Sequence, residues 1–559
     1  MRSRILVFLA TAALAASACT SSGATPAPTS GPTAAATSAP AATSAPAGGA
    51  TADTLQMHWL GDVTAIWHPA AYETFSQAIN FEMMFSKLLE RGWQADGTWK
   101  PVPDLADSWE ITPDGLIWTF HLHPGVKWHD GQPLTANDVA FTINKSFSYQ
   151  FRFTNAAWEA VVGSDEVKAG TAKTASGVKV IDDNTIQITI KAPNADYFSD
   201  LADPESIILP EHILKDVDPK TIETSDFATT KPIGSGPYRF IKYETDQYTQ
   251  FEAFADYFKG APKIKNVFIK RMKGDQAIAQ LESGDLDLSV RLNPAEKGRL
   301  EKSPNLDVLS TPGVGTYGTY FNMLAVTDVN CRKAVAYGVD AQGIIDNVYG
   351  GAGRINKGVT PGMPAADDQE LFTYDPAKAK SLFDQCTGSA QWDKSKPLRI
   401  VFDKTFAGVE QWTPIMQQNL EAIGFKVQLI GLDSTAAIDM YNKLDQYEVT
   451  IAQGGDQGVG PFRTQNYYNC KQTEPAVNKG YLKDCKIDEL FVEARKTVDD
   501  AKRVELFKQI SGIINKAVDR VSFWTTNALS AKAKGLQGVT IPPNTREFII
   551  GVQNWTLTK

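Results

Sequence analysis

The chain has 559 residues, 43% hydrophobic and 21% charged, an ordinary globular composition with room for roughly two to four domains. Its formal charge of -9 and the lack of any Lys/Arg cluster exclude a nucleic-acid groove, because phosphate binding needs grouped cations that release counterions.

At the N-terminus, Arg2 and Arg4 precede an apolar run from Ile5 to Ala16 and small residues ending at Cys19. This is the anatomy of a secretory signal, too short to span a bilayer. Ala16-Ser17-Ala18-Cys19 resembles a bacterial lipobox, whose cysteine is acylated after cleavage, although Leu is usual where Ala16 stands. Every residue from Thr20 to Ala52 is Ala, Thr, Ser, Pro or Gly, a solvated tether with a root-mean-square reach on the order of 30 Å. The expectation is a signal peptide over 1–19, a tether over 20–53, and a folded part held outside the membrane by a lipid on Cys19. No later apolar run is long enough to cross a bilayer.

From about Asp53 to Leu309 the pattern is strand-rich. GLIWTFHLH alternates Leu116, Trp118, Phe120 and Leu122 on one face with Ile117, Thr119, His121 and His123 on the other. VKVIDDNTIQITIK reads as two short strands around Asp182-Asp183-Asn184, with Ile186, Ile188 and Ile190 facing inward. KPIGSGPYRFIKYETDQYTQFEAF reads as a Gly-Pro turn feeding another antiparallel pair.

After Asn322 helices alternate with strands. Asp328 caps a helix through CRKAVAYGV, and Asp375-Pro376 opens AKAKSLFDQ, which Gly388 closes. VEQWTPIMQQNLEAIGFKVQLI is a helix stopped by Gly424 and followed by a strand, and Ser434 starts the next helix before YEVTIAQ. Two further helices lead to a strand at VSFWTT, which predicts a second, α/β lobe with a parallel or mixed sheet. The C-terminal strands and turns are expected to rejoin the first lobe, with chain crossings near Gly313 to Tyr320 and near Trp524 to Ala528. Two crossings make a hinge.

Four cysteines follow Cys19, and an exported protein permits disulfides. Of the three possible pairings, proximity favours Cys470 with Cys485, leaving Cys331 with Cys386. A bridge closing so short a loop contributes about 3 kcal/mol in the chain-entropy model. No C-x-x-C or nearby histidine supports zinc.

Three of the six histidines, His121, His123 and His129, lie within nine residues. His121 and His123 would leave one strand face together, as metal ligation requires, but no histidine follows His212 to complete a ligand set. Gly234-Ser235-Gly236 lacks the spacing of a nucleophile elbow or a phosphate loop, and no H-E-x-x-H or local Cys/His signature occurs. Neither a metal nor a catalytic site is expected, and no cofactor.

PVPDLADSWEITPDGLIWTFHLHPGVKWHDGQPLTANDVAFT resembles the signature of the family 5 extracellular solute-binding proteins, including dipeptide- and oligopeptide-binding members. KPIGSGPYRF, QLESGDLDL, YFNM with DVNCRKAVAYGVD, DPAKAKSLF, NLEAIGFKVQL and GYLKDCKIDELFVEARKTVD resemble further blocks in order, so the resemblance runs from about Thr54 to the C-terminus. It implies an α/β, two-lobed periplasmic-binding-protein-like fold, type II in the large cluster C form. The first lobe would cover 54–315, with an extra β-rich subdomain at about 90–200. The second would cover 316–523, and 524–559 would return to the first.

The resemblance also implies a monomeric receptor, not an enzyme, passing its solute to an ABC importer permease with cytoplasmic ATPases. A peptide is the leading solute. An oligosaccharide or a metal chelate such as nickel is the rival within the family, and an exported hydrolase the rival outside it. In peptide-binding members an Asp of the second lobe meets the ligand ammonium, and AQGGDQGVGPF places Asp456 there. Dipeptide-binding members hold the ligand carboxylate with an arginine at the helix start that here reads GVEQWTP. Glu410 and Trp412 stand there instead, with Arg463 or Lys404 as substitutes. Trp412, Tyr317 and Tyr320 are further cleft candidates, their rings suited to sugars or apolar side chains, as are Gly61 and Asp62 after the first strand.

Overall fold

The computed structural model describes residues 51–559 apart from 60–66, 68–76, 95–97, 149–155, 314, 359–361, 405, 407, 455–460, 469, 471–481 and 544. The expected signal peptide, Cys19 and nearly all of the tether lie outside the described residues. The tether ends earlier than expected: Thr51 bridges Thr558, and the Ala52 amide donates to Leu557 O at 2.8 Å. Among the described residues, no helix is long and apolar enough to cross a membrane.

Two large sheets organise the chain, and we call each, with its flanking elements, a lobe. The first sheet runs in the order Leu306–Thr311, Ala528–Ala533, Leu288–Leu292, Thr54–Trp59, Asn266–Lys270, Tyr248–Ala253 and Tyr238–Glu244. The second runs Gly353–Ile355, Arg520–Thr526, Thr316–Phe321, Val449–Gly454, Leu398–Asp403 and Val427–Leu432, with the last three strands parallel. The chain passes between them after Thr311 and again at Asn527. The return therefore starts three residues later than expected, because Trp524, Thr525 and Thr526 still pair with the second sheet.

A separate four-stranded sheet, Ala106–Ile111, Ile117–Leu122, Thr185–Thr189 and Val178–Asp182, forms the β-rich subdomain. Its alternation is the one read from the sequence. Trp118, Phe120, Leu122, Ile186, Ile188 and Ile190 are buried in one core, while Ile117, Thr119 and His121 are half-exposed. Thr135 and Asp138 exchange capping bonds at the start of the helix Ala136–Ser146, satisfying amides that have no intrahelical partner.

In the second lobe, Asp328, Asp375 and Asp433 cap their helices through side-chain oxygens. The helix Pro376–Gln385 stops at Cys386, two residues before Gly388. Cys386 is joined to Cys331 and Cys470 to Cys485, with Cα separations of 4.9 and 5.1 Å.

The histidine-rich stretch disperses rather than converges. The half-exposed His121 lies 3.9 Å from Glu110 and His123 bonds the Pro124 carbonyl, while Asp130 pairs with His212 at 2.8 Å. His129 Nε2 donates to Gly236 O at 3.0 Å and its Nδ1 accepts from the Gly234 amide at 3.2 Å. This neutral imidazole holds the Gly234-Ser235-Gly236 turn against the first lobe. Glycine is required there, since a Cβ on Gly234 would collide with the Met84 carbonyl.

A second neutral imidazole sits in the first sheet. His58, 1% exposed, accepts from the Ser289 hydroxyl at 2.9 Å and donates to Met272 O at 3.0 Å. Burial pushes its pKa down to about 4 from 6.5. The unfolded chain therefore takes up this proton before the folded protein does, and the associated stability is full above pH 6.5 and lost as pH falls toward 4. We expect the unfolding free-energy gap between wild type and His58→Gln to narrow by about 2 kcal/mol from pH 8 to pH 5. Denaturant titrations read this; a gap constant with pH would mean an ordinary, accessible imidazole.

Candidate functional site

In open α/β sheets a crevice forms beyond the carboxyl ends of parallel strands. In the first sheet Thr54–Trp59 is parallel to both its neighbours, so the ends concerned are Trp59, Lys270 and Leu292. In the second they are Asp403, Leu432 and Gly454. Register places both sets beside the crossings: Leu292 pairs with Leu529, just after Asn527, and Gly454 pairs with Thr316, just after residue 315. A parallel-strand end of each sheet, Leu292 and Gly454, thus lies beside a crossing, where a cleft between the lobes is expected.

Four aromatic rings pack at the second-lobe side of the crossings. Tyr317 stacks on Trp524 with centroids 5.6 Å apart and planes 4° from parallel, and Tyr349 lies 5.7 Å from Tyr317. Trp412 meets Trp524 edge-on at 5.0 Å. Its helix, Val409–Ile423, begins after Gly408, whose φ of +78° and contact with the Tyr349 ring leave no room for a side chain. Burial holds the Tyr349 hydroxyl protonated, far above the ordinary phenol range. Beside the rings, Asn356 Nδ2 donates to Ser522 Oγ and to Thr525 Oγ1, both at 2.9 Å.

Two of the expected cleft aromatics are core residues. Trp412 is 0% exposed and Tyr320 4%. Strand parity puts Tyr320 on the face opposite Tyr317, where Arg520 Nη1 donates to its hydroxyl at 3.2 Å. Only Tyr317 is partly exposed, so the structure brings Tyr317 and Trp412 together and sends Tyr320 elsewhere. Asp456, Gly61 and Asp62 lie outside the described residues. Arg463 belongs to the turn Pro461–Tyr467, but its side chain is not among those described. Lys404 and Glu410 are exposed, the first with its amide bonded to Leu432 O at 2.8 Å.

On the first-lobe side, Trp59 stacks on Phe548 at 5.6 Å, and the guanidinium of Arg291 lies 5.6 Å from the Trp59 ring centroid. Neither Arg291, Trp524 nor Tyr349 stands out in the sequence, where they read as strand and helix residues without a local signal. Among the described residues, no group of three or more His, Cys, Asp or Glu side chains could hold a metal.

The lobes also meet away from the crossings. Arg495, in the last turn of the second-lobe helix Cys485–Lys496, lies 3.4 Å from Asp200 and 3.8 Å from Asp196 of the β-rich subdomain. Its carbonyl accepts from the Ala195 amide at 2.9 Å, and its guanidinium sits 4.6 Å over the Phe462 ring. Nearer the crossings, a Cβ on Gly350 would lie 3.7 Å from Ala295 Cα. The cleft is therefore bridged by a guanidinium clasp as well as by the hinge.

The family described as bacterial extracellular solute-binding proteins, family 5 Middle, matches residues 100–475. The dipeptide-binding protein of Escherichia coli K12 is 28% identical over 464 residues, covering 80% of this chain and 85% of that protein. Heme-binding protein A of Haemophilus influenzae is 32% identical over 295 residues, 50% of this chain and 52% of that protein. In fold, the chain is similar to the oligopeptide-binding protein AppA of Bacillus subtilis, solved with a nonapeptide. The TM-score is 0.77 at 22% identity, covering 92% of this chain and all of that one.

The clasp makes a measurable demand on the ligand-free protein. Arg495→Ala removes a partly buried ion pair worth about 1 kcal/mol, which would shift a closed-to-open ratio roughly fivefold toward open. Small-angle scattering should give a larger radius of gyration for the variant than for wild type; superimposable curves would show that the clasp does not hold the lobes.

Proposed function

The chain belongs to the family 5 bacterial extracellular solute-binding proteins, and from that premise we propose that it captures a peptide between its lobes and delivers it to an importer permease. Proteins of this family serve ABC transporters outside the cytoplasm and are not enzymes. Binding is then the whole of the chemistry. A solute bridging both walls favours the closed form only by as much as it binds that form better than the open one.

The observation that carries the reading is the position of two parallel-strand ends, Leu292 of the first sheet and Gly454 of the second, beside the two crossings. Relatives described as dipeptide- and di/tripeptide-binding proteins support a peptide as the solute. In this reading Asp456, two residues beyond Gly454, accepts a charge-assisted hydrogen bond from the ligand ammonium. Arg463, Gly61 and Asp62 complete the contacts, and acylation of Cys19 keeps the receptor near its permease. The oligosaccharide alternative is weakened by the burial of Trp412 and Tyr320, rings that a sugar would need to reach. A heme-like solute is the second reading, favoured by the Haemophilus relative.

A thermal-shift screen should separate these. A ligand at 100 times its Kd raises stability by about 2.7 kcal/mol, so a matching peptide should raise the melting temperature while cello-, xylo- and manno-oligosaccharides and hemin leave it unchanged. No shift with any peptide would end the peptide assignment. Asp456→Asn should weaken peptide binding by about 1.5–3 kcal/mol in calorimetry; unchanged affinity would remove Asp456 from the site.

A further inference from the structure

The two disulfides sit in different surroundings. Cys331 and Cys386 are 0% and 3% exposed and belong to the core beneath the second sheet, out of reach of a reductant while that core is packed. Cys485 is exposed and Cys470 half-buried. A thiolate arriving from solvent therefore meets the second bridge first.

What the second bridge joins gives this accessibility a meaning. The turn Pro461–Tyr467 and the helices Cys485–Lys496 and Asp500–Ala517 share a small core apart from that of the second sheet. In it Phe462 packs on Phe507, with centroids 5.0 Å apart, among Ile487, Phe491 and Ile510. Cys470 follows the turn and Cys485 opens the first of the helices, where the Cys470 amide also donates to Asp488 Oδ2 at 2.6 Å. The bridge joins residues only 15 apart in sequence, so the loop it closes lies wholly inside this module, and the chain entropy it removes stabilises the module locally. The far end of the same helix carries Arg495. Its guanidinium lies over Phe462 and donates to Gln465 Oε1 at 3.3 Å, while it reaches Asp196 and Asp200 of the β-rich subdomain. The turn that the bridge pins thus supports the arginine that ties the lobes.

We propose that Cys470–Cys485 is a site of thiol–disulfide exchange, through which an extracytoplasmic dithiol loosens the clasp and shifts the solute-free receptor toward its open form. One thiolate of the dithiol attacks Cys485 Sγ, the bond to Cys470 breaks, and Cys470 leaves as a thiolate that takes up a proton. The second thiol of the reductant then attacks the mixed disulfide and releases Cys485 in the same way. The reductant becomes a disulfide, and two electrons and two protons have passed to the protein. The inference rests on the clasp and not on what the cleft binds.

The test treats the full chain with dithiothreitol and follows each bridge by alkylation and mass spectrometry. Cys470–Cys485 should open at least about tenfold faster than Cys331–Cys386. Once it alone has opened, hydrogen exchange should quicken on the order of a hundredfold at the slowest amides of the turn Pro461–Tyr467 and the helix Cys485–Lys496, and stay unchanged in the second sheet. Small-angle scattering should then give a larger radius of gyration, which reoxidation reverses. Cys470→Ser combined with Cys485→Ser should scatter like the reduced protein and ignore the reductant; if this variant does not fold, the reversible change in wild type decides. In Arg495→Ala, reduction should add no further expansion. Opening of both bridges at one rate, exchange or scattering indifferent to reduction, or an equal expansion in Arg495→Ala would each overturn the proposal.

Discussion

Everything else in the molecule is arranged around two short passages of chain lying side by side. The backbone leaves the first lobe after Thr311 and returns at Asn527, and hydrogen bonds at Gly313 and Asn527 hold both passages to the second lobe. Arg354 Nη2 donates to Gly313 O at 3.2 Å, and the Asn527 amide donates to Ala352 O at 3.1 Å. A Cβ on Gly313 would strike the Thr526 carbonyl, so the passages run closer than any side chain at Gly313 would allow. That contact keeps together the two places where a parallel-strand end, Leu292 or Gly454, adjoins a crossing. A cleft so defined depends on few torsions, which suits a receptor whose only work is to close.

The first lobe supports this hinge with charge as well as with apolar packing. Lys87 reaches Glu82 at 2.6 Å, Lys259 reaches Asp104 at 2.7 Å, and Arg91 pairs with Glu547, nearly all of these groups being buried. Such pairs contribute little net stability, because desolvation offsets most of their attraction, yet breaking one leaves a costly unpaired charge. Burial pushes Glu82 up to about 7 despite its lysine, a sign of how unfavourable ionisation is there. Arg91 also donates to Ser199 O at 2.8 Å, on the short helix Tyr197–Leu201 that carries Asp200. That helix is thus gripped by an arginine of the first lobe on one side and by Arg495 of the second on the other.

The elements set by local chemistry were legible in the sequence. Alternation gave the faces of Ile117–Leu122 and Thr185–Thr189, and aspartates marked the helix starts at Val329 and Pro376. What was not legible depends on partners remote in the chain. Trp412 and Tyr320 looked like cleft residues because an aromatic ring suits a ligand and a core equally well, and only the packing of Trp524 and Arg520 decides between them. The clasp joins residues 295 apart, and the bulge at Arg291 exists only through pairing with Ala528–Ala533. Nothing near either arginine announces its partner.

The same strand, Ala528–Ala533, imposes an order on how the molecule is made. It lies inside the first sheet, between Leu306–Thr311 and Leu288–Leu292, although the whole second lobe separates it from both in sequence. Until the last few dozen residues emerge, the first sheet has an open slot with two unpaired strand edges. A chain delivered from its N-terminus can therefore fold its β-rich subdomain and its second lobe early, but it cannot seal the first lobe until synthesis is over. Such late, non-local pairing is slow and leaves edges open to wrong partners. The first lobe, whose strands come first in the chain, is in this way the last part of the molecule to become compact.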